Sequence, residues 1–306
     1  MPNRPLSVGV FSPSVLLRVA RSVGLLQEHG VDVTEVEVES APDQFRDLLN
    51  GTLDAAFTSP DNVIAYRFTP DNPLGRTGDA RIMAALDRGL GLGVYARPGV
   101  TAAAQLRGTT VGVDAPGSGY AFGLYAVLES LGLRPPGSGR PDYAVRPLGG
   151  TPRRLAALLD GQCTATVLGA GAELRAQDAG AVRLAGLVEV CGRYLGTVLT
   201  AVGAHGVRAA RPLAEALGTT ARLIVRGELD AAVLRESRAA LGLTAEQAAR
   251  HAARLRDPDE GLVPDGTVDR RALRTVLALR MRHCPRDRSL ATALEPERGL
   301  LEPRSR

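Results

Sequence analysis

The chain has 306 residues, with 37 basic against 33 acidic side chains, a net charge of +4 and 44% hydrophobic residues. Every basic residue is an arginine, which excludes chemistry that needs lysine, such as a Schiff base or a Walker A phosphate loop. With 4% aromatic residues and no basic stripe, the composition argues against nucleic-acid binding. The length allows two α/β lobes.

Cysteine and histidine spacings predict neither a disulfide framework nor a metal site. The three cysteines are far apart and form no CxxC pair, and the four histidines lack the spacing of metal ligands. We therefore expect no metal and no tightly bound cofactor. No apolar run has membrane-spanning length, and no secretion signal precedes the first predicted strand. The sequence accordingly predicts a cytoplasmic protein without a membrane partner, and it indicates no oligomeric state.

Taken in chain order, the predicted elements alternate between strands and helices. Strands are predicted at 6–11, 31–39, 53–57, 109–113, 143–148, 164–168 and 182–190. The segment 81–97 has an apolar, β-rich pattern interrupted by glycines, and we expect the first crossover between the lobes there. Helices are predicted at 15–29, 40–50, 62–66, 102–106, 120–131, 151–159, 244–255 and 268–281. We expect lobe one to comprise 1–97 and 203–306, lobe two to comprise 98–202, and the helical C-terminal segment to pack on lobe one.

Two pairs of similar segments form an internal repeat. SVGVFSPSVLLRVARSVGLL (7–26) corresponds to TVGVDAPGSGYAFGLYAVLESLGL (110–133), and LLNGTLDAAFTSP (48–60) corresponds to LLDGQCTATVLGA (158–170). Each segment contains an apolar strand that ends in a turn. Two similar βα blocks predict two similar lobes with a cleft at the carboxyl ends of the strands, where open α/β sheets bind ligands.

A resemblance to a known family rests on three segments: VARSVGLLQEHGVDVTEVEVES, LLNGTLDAAFTSPDNVIAY and AQLRGTTVGVDAPGSGYAFGLYAVLESLGL. Over roughly 6–203 the chain resembles the type II periplasmic-binding-protein-like family, in particular its nitrate/sulfonate-binding and thiamine-pyrimidine-synthesis branch. The resemblance implies a two-lobed α/β fold with an interlobe cleft and a small, often anionic ligand. The iron-binding cysteine motif of the pyrimidine-synthesis members is absent.

The turn DAPGSGY (114–120) is the strongest candidate for a binding site. It follows a predicted strand and opens a predicted helix, and unusual backbone angles at Gly117 and Gly119 would let several N–H groups hold an anion. The alternative is an N-cap turn without a ligand. The predicted ligand-binding residues are Ser12, Ser14, Thr58, Ser59, Asn62, Gly117, Ser118, Gly119, Tyr120, Gly169 and Tyr194.

For catalysis we choose Asp114 and then Asp61 as candidate acid or base groups, because both are placed at strand-to-helix turns. Arg153 could bind an anion, although an exposed arginine is the commoner outcome. Asp87 and Arg88 are expected to form an ordinary surface pair, and Thr151 is expected to be an N-cap.

Two functions follow from these residues. The first is an intracellular, cofactor-independent, lyase-like enzyme that acts on a small organic carboxylate by decarboxylation, elimination or isomerisation. The second is a non-catalytic solute-binding protein or sensor for a small anion, like the substrate-binding component of an ABC transporter. The cytoplasmic prediction favours the enzyme, whereas the few histidines and the missing lysine favour binding.

Overall fold

The computed structural model describes residues 4–284 and 290–302. Its strands are β1 (Leu6–Val10), β2 (Val33–Glu37), β3 (Ala55–Thr58), β4 (Ala80–Ala85), β5 (Gly93–Ala96), β6 (Thr110–Val113), β7 (Ala144–Pro147), β8 (Ala165–Leu168), β9 (Val182–Gly186) and β10 (Val198–Val202). Its helices are α1 (Val15–Ser22), α2 (Leu25–Glu28), α3 (Ala41–Asn50), α4 (Pro60–Phe68), α5 (Gly119–Ser130), α6 (Thr151–Leu159), α7 (Ala172–Asp178), α8 (Leu187–Cys191), α9 (Gly203–Val225), α10 (Asp230–Leu241), α11 (Ala245–Leu255) and α12 (Arg270–His283). None of the helices in this part of the chain is long and apolar enough to span a bilayer.

The strands form two five-stranded sheets with the same arrangement. The first has the order β2-β1-β3-β10-β4 and the second has the order β7-β6-β8-β5-β9. In each sheet the first three strands are parallel, and the fourth is antiparallel to both of its neighbours. Strands β1 and β6 of the sequence repeat occupy equivalent positions, as do β3 and β8. The α/β fold with two similar lobes is therefore confirmed.

A glycine in the middle one of the three parallel strands of each sheet explains why VGV occurs in both repeats. A Cβ atom on Gly9 would lie 2.7 Å from Leu53 Cδ1, and one on Gly112 would lie 2.5 Å from Leu148 Cδ1. Both distances are shorter than a carbon–carbon contact allows, so a larger residue would displace the packed leucine. The repeat thus preserves a packing constraint as well as a strand pattern.

The predicted lobe boundaries are wrong by one strand at each crossover. Strand β5 pairs with β8 and β9, so it belongs to the second lobe although 1–97 was assigned to the first. Strand β10 pairs with β3 and β4, so it belongs to the first lobe although 98–202 was assigned to the second. An apolar strand pattern shows that a strand is buried, but it does not show which sheet the strand joins.

One predicted helix is divided, one predicted strand is shortened, and one helix has a different N-cap. The helix predicted at 15–29 is divided into α1 and α2, because Gly24 has a left-handed φ of 83°. The strand predicted at 182–190 ends at Gly186, where α8 begins. Gly150 is the N-cap of α6, so Thr151 is the first helical residue and not the cap.

The C-terminal helices contact both lobes, whereas the sequence led us to expect contact with the first lobe. Helix α12 packs against α4 of the first lobe and α5 of the second. Helix α11 contacts α7 of the second lobe, where Gln247 Nε2 and Arg250 Nη1 donate to the Asp178 carboxylate at 2.7 and 2.8 Å. The C-terminal segment therefore connects the lobes.

A buried ion pair fixes α12 in this position. Arg280 Nε and Nη2 donate to Asp61 Oδ1 and Oδ2 at 2.6 and 2.7 Å, and Asp61 is fully buried. The guanidinium lies 5.2 Å from the ring centroid of Phe122, and Nη2 also donates to the Gly117 carbonyl at 3.3 Å. One arginine thus joins α12 to the start of α4 and to the turn before α5.

Replacing Arg280 by glutamine should lower the free energy of unfolding by about 3–5 kcal/mol, because Asp61 would become a buried charge without its cation. Urea unfolding followed by circular dichroism measures the change. The control is Arg282→Gln on the same helix, whose exposed guanidinium pairs with Glu129 at 3.1 Å and should contribute about 0–1 kcal/mol. Equal losses in the two variants would contradict the importance of the buried pair.

Candidate functional site

Two adjoining cavities lie between the lobes. The main cavity has a volume of about 130 Å³, and its lining includes Ser12, Ser14, Thr58, Asp87, Tyr120, Thr151, Gly169, Thr197 and His251. The small cavity has a volume of about 40 Å³, and its lining includes Glu39, Ser40, Ser59, Asn62, Asp114, Ser118, Gly119, Gly150 and Arg154. Both share Phe11, Tyr120 and Thr151. At roughly 10–15 Å³ per water, the small cavity has room for about three waters, similar to a carboxylate group.

Four helices begin at the small cavity. Their N-caps Ser40, Ser59, Ser118 and Gly150, which precede α3, α4, α5 and α6, all line it. Each serine hydroxyl accepts a hydrogen bond from a first-turn N–H group of its own helix. A helix N-terminus carries a partial positive charge and unpaired N–H groups, so this convergence makes the small cavity electropositive.

Arg154 adds a full positive charge to the small cavity. Its side chain is 2% exposed and donates to the carbonyls of Val167 and Gly149 at 3.2 and 2.6 Å and to Thr151 Oγ1 at 3.0 Å. Within the described ranges no carboxylate forms an ion pair with it, and burial lowers its pKa while the charge of Asp114 raises it. Such a guanidinium suits an anionic ligand.

From the sequence, the neighbouring Arg153 was a possible anion partner, with an exposed arginine as the commoner outcome, and Arg154 was not considered. Arg153 is exposed and pairs with Glu39 of the other lobe at 2.7 Å. A signal for Arg154 was available, because Arg154, Ala157 and Leu158 share the buried face of α6 at helical spacing. An arginine on a buried face has to interact with polar groups or with a ligand.

The turn at 114–120 has a different geometry from the one expected. Neither Gly117 nor Gly119 has a positive φ, so the expectation of unusual backbone angles is wrong. The Ser118 hydroxyl caps α5 and donates to Asp114 Oδ1 at 2.6 Å, so the N-cap alternative is correct for this hydroxyl. Ser118 and the half-buried Asp114 nevertheless line the small cavity. Gly117 is exposed and lines neither cavity.

Gly119 has a steric role where the lobes touch. A Cβ atom at this position would lie 2.5 Å from Asp61 Cβ and 3.0 Å from Ser59 Oγ, both on the opposite lobe. Since Arg280 holds the Asp61 side chain, that carboxylate cannot turn away without breaking the ion pair. A glycine is therefore required for α5 to begin directly against α4.

The main cavity brings together five of the predicted residues, namely Ser12, Ser14, Thr58, Tyr120 and Gly169. Ser14 also caps α1, accepting from Leu17 N–H at 3.3 Å, and Thr58 accepts from Asn62 Nδ2 at 3.0 Å. Ser59 and Asn62 line the small cavity instead. The sites predicted in the two repeats thus do face each other, although their roles in binding stay predictions.

Two further predicted residues lie outside both linings. Asp61 is fully buried with both oxygens bonded to Arg280, which speaks against a role as an acid or base. Tyr194 is 1% exposed in the hydrophobic core and does not form a cavity wall, and its hydroxyl has no partner among the described residues. Sequence position near a turn or a crossover did not reveal that these side chains point into packed regions.

Strained backbone lies at the wall of the main cavity. Leu90 and Ala170 have φ values of 46° and 55°, and they are the non-glycine residues with positive φ in the described chain. Ala170 N–H donates to the Leu90 carbonyl at 2.8 Å, so the two strained residues are joined across the cavity wall. Such conformations cost about 1–3 kcal/mol each and occur preferentially at ligand sites.

Asp87 and His251 line the main cavity and were missed as site residues. Asp87 is 5% exposed, and burial raises its pKa to about 6, although hydrogen bonds from Thr197 and Gly89 lower it. Asp87 and Arg88 do not form the expected surface pair in the described structure, because Asp87 is buried and Arg88 Nη1 donates to the Leu262 carbonyl. His251 is 1% exposed, and burial lowers its pKa to about 4. Their burial depends on how the crossover and α11 pack, which the local sequence did not indicate.

No group of three or more histidine, cysteine or acidic side chains within 4–284 and 290–302 has the arrangement of a metal site. The chemistry available in the two cavities therefore comes from hydroxyls, helix N-termini, one guanidinium, one imidazole and carboxylates.

Comparisons with solved structures show the same fold. The alkanesulfonate-binding protein SsuA from Xanthomonas axonopodis pv. citri, bound to MOPS, matches with a TM-score of 0.71 and 17% identity over 99% of this chain and 96% of its own. The periplasmic nitrate-binding protein NrtA from Synechocystis PCC 6803 matches with a TM-score of 0.67 and 13% identity over 79% of this chain and 68% of its own. A mutant of DszB in complex with biphenyl-2-sulfinic acid matches with a TM-score of 0.58 and 19% identity over 90% of both chains.

No protein-family model matches the chain, and no curated protein matches it. The structural likenesses confirm that it has the two-lobed fold of periplasmic binding proteins, including that of the nitrate- and sulfonate-binding ones. The cytoplasmic location, the absence of a cofactor and the roles of individual site residues stay predictions.

Replacing Gly119 by alanine should lower the free energy of unfolding by about 1–3 kcal/mol, because the new methyl group overlaps Asp61. The control is Gly117→Ala two residues earlier, where a Cβ atom meets nothing within 4 Å and the effect should stay within about 0.5 kcal/mol. Denaturant unfolding of both variants measures the difference. Equal stability of the two variants would show that the lobes do not need this close contact.

Proposed function

We propose that the protein is a solute-binding protein or sensor that holds a small organic anion between its lobes without changing it chemically. The observation that carries the proposal is the small cavity, where four helix N-termini and the buried guanidinium of Arg154 surround one space. An anion placed there would interact with the partial positive charges of helices from both lobes, so its binding would favour contact between the two lobes.

The acidic residues of the small cavity do not cancel this preference. The Glu39 carboxylate is exposed and pairs with Arg153. Asp114 keeps its charge, because its donor Ser118 is uncharged, but Arg154 and the four helix N-termini act against this single half-buried carboxylate. Arg154 forms no ion pair within the described chain, and its hydrogen bonds go to uncharged oxygens. A carboxylate or sulfonate oxygen close to Arg154 would therefore gain a charge-assisted hydrogen bond.

The organic part of the ligand, apart from its acid group, would occupy the main cavity. Its walls combine hydroxyl groups with apolar side chains, among them Phe57, Leu86, Leu90 and Leu262. Mixed walls of this kind suit an organic molecule better than a bare inorganic ion. The similarity in fold to an alkanesulfonate-binding and a nitrate-binding protein supports an anionic ligand class.

The proposal is tested with a panel of linear alkanesulfonates and alkanecarboxylates of two to eight carbons, screened by thermal unfolding and measured by calorimetry. A ligand present at about 100 times its Kd should stabilise the folded state by about 2.7 kcal/mol. Mass spectrometry of the recovered ligand should show it unchanged. The absence of any stabilising acid in the panel would contradict the proposal.

Replacing Arg154 by glutamine should weaken the binding of an acid from this panel by about 10–100-fold, because the charge-assisted hydrogen bond is lost. Arg146→Gln is the control, since this exposed arginine of the same lobe lines neither cavity and should alter Kd by less than about 3-fold. Calorimetry measures both, after thermal unfolding has shown that each variant is folded. Equal effects in the two variants would remove Arg154 from the binding site.

An enzyme acting on a small carboxylate is the second candidate, and one observation favours it. The pKa of about 6 at Asp87 is in the range of a general base, and Asp87 lines the larger cavity. The mass spectrometry described above separates the candidates, because an enzyme would convert the acid into a product.

A further inference from the structure

The main cavity contains a buried carboxylate where the two crossovers between the lobes meet. Asp87 Oδ1 accepts a hydrogen bond from Gly89 N–H at 2.8 Å, and the Asp87 carbonyl accepts one from Gly196 N–H at 3.1 Å. A Cβ atom on Gly196 would lie 2.1 Å from Asp87 Oδ1, so the return crossover is packed directly against the carboxylate. Asp87 is thus held in a fixed position at the cavity wall.

The negative charge of Asp87 has no cationic partner in the cavity. Among the described residues that line it, the ionisable side chains are Asp87, Tyr120 and His251, and none is an arginine. Arg88, the next residue, donates to the Leu262 carbonyl and forms no ion pair with Asp87 in the described structure, although its charge lowers the pKa of Asp87. A buried carboxylate without a cation is unfavourable, and a cationic group of a ligand would stabilise it.

A second polar atom of the same cavity lacks a partner. His251 is 1% exposed, and its Nδ1 has no hydrogen bond within the described part of the chain. A Cβ atom on Gly171, which has a φ of 98°, would lie 2.8 Å from Leu241 Cδ1 and 3.5 Å from Nδ1, so the backbone there is packed closely against both side chains. A buried imidazole nitrogen left unpaired is expected to hydrogen-bond a ligand.

The two cavities therefore differ in charge, and they are adjacent. The small cavity has Arg154 and four helix N-termini, whereas the main cavity has Asp87. They share Phe11, Tyr120 and Thr151, so a short molecule could occupy both at once.

Building on the proposed function, we infer that the ligand is zwitterionic, with its acid group in the small cavity near Arg154 and a protonated amine in the main cavity beside Asp87. The class includes amino acids and aminosulfonates whose two charged groups are separated by a short chain. The amine would balance the charge of Asp87, and Nδ1 of His251 would accept a hydrogen bond from a further donor of the ligand.

The alternative is that Asp87 has only a structural role. Its hydrogen bonds with Gly89 and Thr197 join the two crossovers, and they would stabilise the hinge without any ligand. These hydrogen bonds come from uncharged donors, so they leave the net charge in place. The two roles differ in one measurable property, which is the preference for an amine.

The test uses matched probes with the wild-type chain at pH 8, where Asp87 is ionised. The pairs are 3-aminopropane-1-sulfonate with propane-1-sulfonate, and 4-aminobutanoate with butanoate, measured by calorimetry. The member with the amine should bind about 30-fold or more tightly in at least one pair, as expected for a buried charge pair. A preference below about 3-fold in both pairs would overturn the inference, and this comparison needs no variant.

A variant then assigns the preference to Asp87. Asp87→Asn should remove the preference for the amine and change the affinity for the amine-free member by less than about 3-fold. Asp71→Asn, which alters an exposed carboxylate outside both cavities, is the control for net charge and should keep the preference. If Asp87→Asn lowered the affinity for both members of a pair by the same factor, the inference would be overturned in favour of the structural role.

The outcomes also separate this inference from the proposed function. Binding of the amine-free acids with no gain from the amine would leave the proposed function standing and overturn the zwitterion. If no acid bound, with or without an amine, both the proposed function and the zwitterion inference would be overturned.

Discussion

The direction of the parallel strands is the constraint from which the candidate site follows. In each sheet three parallel strands end at the cleft, and each is followed by a helix that begins there. The positive ends of these helices consequently meet when the two lobes come together. The electropositive small cavity is therefore a product of topology, and Arg154 strengthens a potential that the backbone already supplies.

Close contact between the lobes depends on a small set of residues that lie next to this cavity. Arg280 holds the Asp61 carboxylate, and Gly119 leaves room for that carboxylate against the start of α5. The Arg280–Asp61 ion pair, the absence of a side chain at Gly119 and the position of α5 against α4 thus depend on one another. This arrangement explains why an aspartate at a strand-to-helix turn can be structural even though its sequence position is typical of a site.

The opposite charges of the two cavities give the proposals a common physical basis. A buried guanidinium and a buried carboxylate that are not paired with each other, or with another ionised side chain in the described structure, are unfavourable in an empty protein. Each is stabilised by a ligand group of opposite charge. Strain at Leu90 and Ala170 in the wall of the main cavity is consistent with a region shaped for binding and not for maximal stability.

The sequence by itself determined the fold class, the internal repeat and the turns that face the cleft, because strand periodicity, glycine and N-cap residues act over a few neighbouring positions. It placed Ser12, Ser14, Thr58, Ser118 and Gly169 at the cleft for this reason. Tertiary structure decided which sheet β5 and β10 join, and it decided that Arg154 and Asp87 are buried while Arg153 is exposed. Pairing and burial depend on contacts between residues far apart in the chain, which no local pattern specifies.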